Sequence, residues 1–352
     1  MHKRTAHKSK IEYENTWNEA LTIIEKNITN KDKTLGEILH DYYVAKICNR
    51  FKKKFFRDFH KSVGINIKRR QPPKERLVVT NNKYTIVPLE VILDYSLIDI
   101  LANFIHEKEN QIDYVVELGS GFGINLFILA SKLDPSLRRR IGFFSCEFTD
   151  SGKKVCEKVL SLSDGLQISI EHFDYYHPDF SFLPPKKNCL FFTAHSIEQI
   201  PIVDRVVFER MLEVSDQCHC YHAEPVGWQY DENLQIQRRH LKPNHWKRNQ
   251  SYLRRKLFKL DRWMFSKFGV GIVNTSQKYG INIEKTDIGK PDKVSTNAAM
   301  WSLCKDYNAN LISIIKNMET EGLIAIDTEI VNLYGKNPFN PTSIISWHKI
   351  TN

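Results

Sequence analysis

The segment VVELGSGFGINLF, residues 115–127, constrains the fold of this chain more than any other feature. It joins an apolar β-pattern to a helical one through glycines at 119, 121 and 123, every second position. Such a turn lets backbone approach a ligand closely, and the following helix presents free N–H groups at its start. The dinucleotide fingerprint needs its third glycine at 124, where this chain has Ile124, so that reading is set aside.

Around the turn, short apolar runs alternate with helical patterns. The runs 114–118, 141–148, 168–173, 188–194 and 218–224 read as strands, and 93–107, 124–133, 151–162 and 202–214 as helices. Alternation with short connections predicts an α/β fold with a mostly parallel, doubly wound sheet covered on both faces. The tail predicts a helix over 306–320, then strands at 322–335 and 344–350 about the NPFNPTS turn, an antiparallel C-terminal hairpin. Residues 12–60 read as helical and 68–83 as a polar, Pro-containing linker. The expected organisation is a basic, mostly helical N-terminal extension (1–92), a main domain (93–230 and 301–352) and an inserted basic cap (231–300).

Charge follows the same division. Residues 1–76 carry 19 Lys/Arg against 9 Asp/Glu, residues 77–237 carry 13 against 23, and 238–267 carry 11 against 1. Basic accessories on an acidic middle suit an anionic partner. The block 238–267 interleaves Trp246, Tyr252, Phe258, Trp263 and Phe265 with its bases, which suits either nucleic-acid stacking or a lid packed on the core. Arg238, Arg239, Lys247, Arg248, Arg254 and Arg255 are the candidate phosphate ligands. Seven cysteines without framework spacing predict free thiols in a reducing compartment. No secretory h-region follows the basic N-terminus, and no apolar run reaches the ~18 residues of a membrane span. The expectation is a soluble, cytoplasmic protein, for which a homo-oligomer is compatible.

The spacing E-x-G-x-G-x-G resembles motif I of the class I, seven-β-strand S-adenosylmethionine-dependent methyltransferases. The likeness continues at Glu147, ending the second strand, at Asp174 after the third, and in the terminal helix-strand-turn-strand. It covers roughly 93–230 and 305–352 and implies a Rossmann-like sheet with S-adenosylmethionine as cofactor. It further implies cofactor contacts from Glu117, Gly119, Ser120, Gly121, Gly123, Glu147, Phe148, Phe173, Asp174, Tyr175, Ala194 and His195. Glu147 would accept both ribose hydroxyls, Asp174 would face the adenine with Phe173 and Tyr175 against the ring, and Glu117 would lie near the methionine amino end.

Acceptor chemistry in such folds lies where strands four and five end, here FFTAHSIEQIP and YHAEPVGWQ. A hydroxyl acceptor must lose a proton, and His is the usual base near neutral pH. His195 is the favoured base, with His222 as the alternative. Glu198 can orient His195 or bind acceptor hydroxyls, and Glu198 with Glu224 can instead clamp a guanidinium, although no double-glutamate loop pattern accompanies them. Cys218, Cys220 and His222 lie on one strand face and cannot converge on one ion, so no metal is expected. HSIEQIP, HAEPVGW and NPFNPTSIISW resemble bacterial sugar O-methyltransferases, which implies a hydroxylated, anionic, sugar-linked acceptor such as a glycan or nucleotide-linked sugar. RNA or tRNA methylation is the alternative, although TAHS stands where an NPPY-like tetrad would serve exocyclic amines. Arginine methylation and a non-catalytic binding module complete the set.

Overall fold

The computed structural model describes residues 5–28, 35–52, 54–67, 73–89, 95–109, 111–163, 165–240, 283 and 285–351. The framework is a nine-stranded mixed sheet ordered β2-β1-β8-β9-β7-β6-β3-β4-β5. Its parallel part comprises β3 (Tyr114–Leu118), β4 (Gly142–Glu147), β5 (Ile168–His172), β6 (Lys187–Ala194) and β7 (Ser215–Glu224). Strand β3 carries Val115, Val116 and Leu118 buried, as a strand covered on both faces requires. The order turns back at β3, between β4 on one side and β6 on the other, and this is where such sheets open a crevice for ligands. Strand β9 (Thr342–Lys349) runs antiparallel between β7 and β8 (Ile324–Gly335).

Two cores cover the faces. On one side α4 (Tyr95–Glu107), α5 (Ile124–Lys132) and α7 (Asp150–Leu160) pack with α1 (Ala6–Ile28) and α2 (Leu35–Lys52). On the other lie α8 (Val206–Val214) and α11 (Leu311–Thr320) with the aromatic segment 173–183. The short α6 (Pro135–Arg140) leads into β4, and α9 (Glu232–His240) follows β7.

The segment 68–83 is corrected from linker to partial strand: β1 (Glu75–Thr80) and β2 (Lys83–Pro88) form a hairpin that joins β8. Leu77, Val78 and Val79 are buried there. A third apolar cluster ties this hairpin to α3 (Lys54–Ser62) and α10 (Pro291–Lys305), with Trp301 stacked on Phe339 at 5.6 Å. Parts of the expected extension, cap and tail therefore share one core. Most of the block 238–267 falls outside the described residues. Of its bases, Arg238 lies 4.9 Å over the Trp228 ring and donates to the Tyr307 carbonyl oxygen at 2.8 Å, so it anchors α9 instead of reaching outward. No helix among the described residues is long and apolar enough to cross a membrane, and no cluster of His, Cys, Asp or Glu among them could hold a metal ion.

Candidate active site

A cavity of about 970 Å³ opens at the carboxyl ends of β3, β4 and β6. Its floor is the glycine turn. Gly119, Gly121 and Gly123 all have positive φ, at 70°, 62° and 75°, which explains glycine at alternate positions. The N–H groups of Gly119 and Ser120 both donate to the Cys146 carbonyl oxygen, at 2.8 and 3.0 Å, locking the turn to the end of β4.

The cofactor-type residues divide into two sets. Gly119, Ser120, Gly121, Glu147, Phe148, Asp174, Tyr175, Ala194 and His195 line the cavity. Glu117, Gly123 and Phe173 do not. A Cβ on Gly123 would lie 2.8 Å from Cys156 Sγ, so this glycine serves helix-strand packing. Phe173 is buried edge-on to Tyr175 in the core. Glu117 lies beneath Asn125, whose Nδ2 donates to it at 2.6 Å, and burial pushes its carboxyl up to about 8.

Glu147 Oε2 accepts from Gly121 N at 2.8 Å, while Oε1 accepts from Thr149 N and Oγ1 at 2.9 and 2.5 Å. A carboxylate offers about four acceptor positions, so these three bonds leave room for one further hydroxyl, not two. Burial raises its pKa above the usual carboxylate value, against those hydrogen bonds. Asp174 accepts from Tyr176 N at 2.9 Å and holds the loop after β5.

Next to the glycine turn, past the end of β6, stands His195, at φ 56°, a left-handed conformation sparse for a non-glycine residue and common at functional sites. Its N–H donates to the Ala223 carbonyl oxygen, which fixes the reversal after β6. Nδ1 lies 3.3 Å from Glu198 Oε2 and Nε2 lies 2.6 Å from Thr342 Oγ1. Burial disfavours the imidazolium, yet the Glu198 carboxylate outweighs it and the pKa is raised above 6.5. The side chain retains 35% exposure, so a ligand can reach it, whereas Glu198 retains 6%. Gln199 Nε2 and Asn340 Nδ2 donate to Glu198 at 2.5 and 2.7 Å. With Nδ1–H directed at Glu198, Nε2 is the ring position able to take a proton, and the Thr342 hydroxyl donates to it.

The alternative base and the carboxylate clamp are corrected. His222 is buried among Thr193, Trp347 and Cys220, accepting from Trp347 Nε1 at 3.1 Å, and burial lowers its pKa to about 3. It is a neutral core residue. Glu224 accepts from the N–H groups of Ser196, Ile197 and Glu198 at 3.0–3.1 Å, and burial pushes it up to about 7. Glu224 is fully buried and lies outside the cavity lining, so a guanidinium in the cavity does not reach it. Glu224→Ala would leave three buried donors unpaired; we expect roughly 2–4 kcal/mol lost from unfolding stability, read by chemical denaturation.

Several cavity residues carried no motif in the sequence. Trp17 of α1 lies over the glycine turn: a Cβ on Gly121 would meet its ring at 2.6 Å. Glu14 on the same helix accepts from Asp150 N and Ser151 N at 2.9 and 3.0 Å, capping α7. Tyr42, Tyr43 and Lys46 of α2, Lys305 of α10, Lys336 and Asn340 of the β8–β9 connection and Thr342 at the start of β9 also line the walls. Only the NPFNPTS turn, already notable for its composition, pointed toward any of them.

No protein-family profile and no curated protein matches this chain. Solved structures similar to it include the CurJ carbon methyltransferase, at 10% identity and a TM-score of 0.37, covering 72% of this chain. The match spans 54% of that protein's chain, about half its length. Magnesium protoporphyrin IX methyltransferase from Synechocystis PCC 6803, solved with bound S-adenosylhomocysteine, is 8% identical at a TM-score of 0.36, covering 87% of this chain and 99% of its own. The O-methyltransferase TomG from Streptomyces achromogenes, involved in tomaymycin synthesis and solved with S-adenosylmethionine, is 9% identical at 0.36, covering 75% and 83%.

Proposed function

We propose that the chain is an S-adenosylmethionine-dependent O-methyltransferase acting on a sugar or another hydroxylated acceptor. One observation carries the reading: a single cavity joins a side-chain-free glycine turn and a strand-end carboxylate to a histidine backed by a carboxylate. The resemblance in E-x-G-x-G-x-G assigns the first pair to the cofactor, and the second pair is what a hydroxyl acceptor needs. The fit rests on the lining: Gly119, Ser120, Gly121 and Glu147 all face the cavity, and Glu147 is able to accept one further hydroxyl there.

When bound, S-adenosylmethionine supplies an electrophilic methyl group on sulfur. The turn would hold its chain against backbone, and Glu147 would orient its ribose. His195 Nε2, now in contact with the Thr342 hydroxyl, would be the atom that takes the acceptor's hydroxyl proton, and Glu198 at Nδ1 would stabilise the resulting imidazolium. Holding the two reactants together in one cavity would supply further barrier reduction.

The test is a calorimetric titration of the full chain with S-adenosylhomocysteine and, separately, with NAD⁺. We expect saturable binding of the first and none of the second; absence of binding to S-adenosylhomocysteine ends the reading. Among the described residues nothing favours the nucleic-acid or arginine alternatives.

A further inference from the structure

Glu117 is an expected cofactor contact that the structure withholds from the cavity. It sits near the carboxyl end of β3, buried and outside the lining. Above it Asn125, in the first turn of α5, lines the cavity together with Gly119, Ser120 and Gly121. The two side chains are joined. Asn125 Nδ2 donates to Glu117 Oε1 at 2.6 Å, and the backbone N–H of Leu126 donates to the same carboxyl. Burial pushes that carboxyl up to about 8, so near neutral pH it is largely uncharged and acts as a hydrogen-bond partner instead of a charge.

A carboxamide donates from its nitrogen and accepts at its oxygen. With the nitrogen committed to Glu117, the oxygen is the end of Asn125 left for the cavity, and no donor among the described residues engages it. The residue is half-buried, so a ligand can reach it. This stretch of wall suits a donor, not a carboxylate or phosphate, whose lone pairs would face its own.

S-adenosylmethionine carries hydrogen-bond donors on its ribose, on its adenine and at its α-ammonium. Strands β3, β4 and β5 are consecutive neighbours in the sheet, with Glu147 ending β4 and Asp174 following β5. A ligand laid across these ends with its adenine at β5 and its ribose at β4 brings its amino-acid end to β3, where Asn125 stands. Resting on the S-adenosylmethionine reading, we propose that Asn125, not Glu117, receives the α-ammonium of the cofactor through its side-chain oxygen, and that Glu117 is a positioning residue that turns the amide. An ammonium on that oxygen makes a charge-assisted hydrogen bond.

The test compares two probes by calorimetry on the full chain: S-adenosylhomocysteine and its deamino analogue, which lacks only the amino group. Wild type is expected to prefer S-adenosylhomocysteine by about tenfold or more, as a hydrogen bond to a charged group implies. Asn125→Leu should bring the two affinities to near parity while the analogue binds as in wild type. Glu117→Gln keeps an uncharged acceptor of the same shape beneath the amide, so the preference should survive it. Were a charge on Glu117 the attraction, Glu117→Gln would abolish the preference as completely as Asn125→Leu, and that result overturns the proposal. An unchanged preference in Asn125→Leu overturns it too. Thermal unfolding shows that each variant is folded; should Asn125→Leu not fold, Asn125→Ala serves with the same expectation. Binding of both probes without preference in wild type removes the amino subsite and leaves the methyltransferase reading standing, whereas binding of neither removes both.

Discussion

Replacing His195 with Asn is expected to cut methyl transfer by about 10²–10⁴-fold, the usual contribution of a positioned general base. Asn is the apt replacement because position 195 has φ 56°, a conformation Asn tolerates and most side chains do not. The backbone reversal after β6 should then survive, and affinity for S-adenosylhomocysteine should change far less than turnover. Transfer is read as S-adenosylhomocysteine formed from S-adenosylmethionine in the presence of acceptor.

The pH profile gives a second readout. The base works only when neutral, so turnover must fall as pH drops through the His195 pKa. The neighbouring Glu198 carboxylate raises that pKa, which moves the acid limb upward from where an unperturbed histidine would put it. Glu198→Gln removes the charge that favours imidazolium, so the limb should move to lower pH while the maximal rate declines. A limb that stays in place, or turnover that survives His195→Asn, would remove His195 from the reaction. His222→Gln should disturb stability and leave the acid limb where it is, since His222 is buried away from the cavity wall.

Strand ends were easier to read from the sequence than strand faces. The parallel strands, the glycine turn and the acids ending β4 and following β5 stand within a residue or two of their expected places, apart from β7, which begins at Ser215, three residues before the expected start. Each is a local signal of apolar run, glycine or terminal carboxylate. His222 and Glu224 share one face of β7 by the two-residue period, but the sequence does not say which face is covered by α8. The structure buries them under Phe208 and against Trp347 and the 195–199 turn, and their chemistry goes into packing and backbone capping. The β1–β2 hairpin was hidden by the prolines and charges at its entry, and its pairing with β8 spans some 250 residues. The covering residues Trp17, Tyr42 and Lys46 belong to amphipathic helices, in which the positions facing a cavity have the same spacing as those facing a core. Only the tertiary arrangement separates the two.

Gly121→Val should lower affinity for S-adenosylhomocysteine by about 100-fold or more, roughly 2.7 kcal/mol or above. Three effects act in one direction. A β-branched residue at φ 62° is strained, at a cost of roughly 1–2 kcal/mol for the left-handed region alone. The N–H of residue 121 donates to Glu147 Oε2, so a displaced backbone withdraws a donor from the carboxylate that would face the ribose. The new side chain also fills the floor on which a ligand would lie. A competing explanation is that valine merely dislodges Trp17, whose ring lies 2.6 Å from the position of the added Cβ. The double variant Trp17→Ala/Gly121→Val separates the two, since contacting residues couple measurably in a double-mutant cycle. If the affinity loss persists without the indole, the turn itself is the binding surface, as motif I requires. If removing Trp17 restores affinity, the glycine serves only to seat α1, and the cofactor assignment of the turn loses its main support. The measurement is an equilibrium titration of each variant with S-adenosylhomocysteine, with thermal unfolding recorded alongside to confirm that each remains folded.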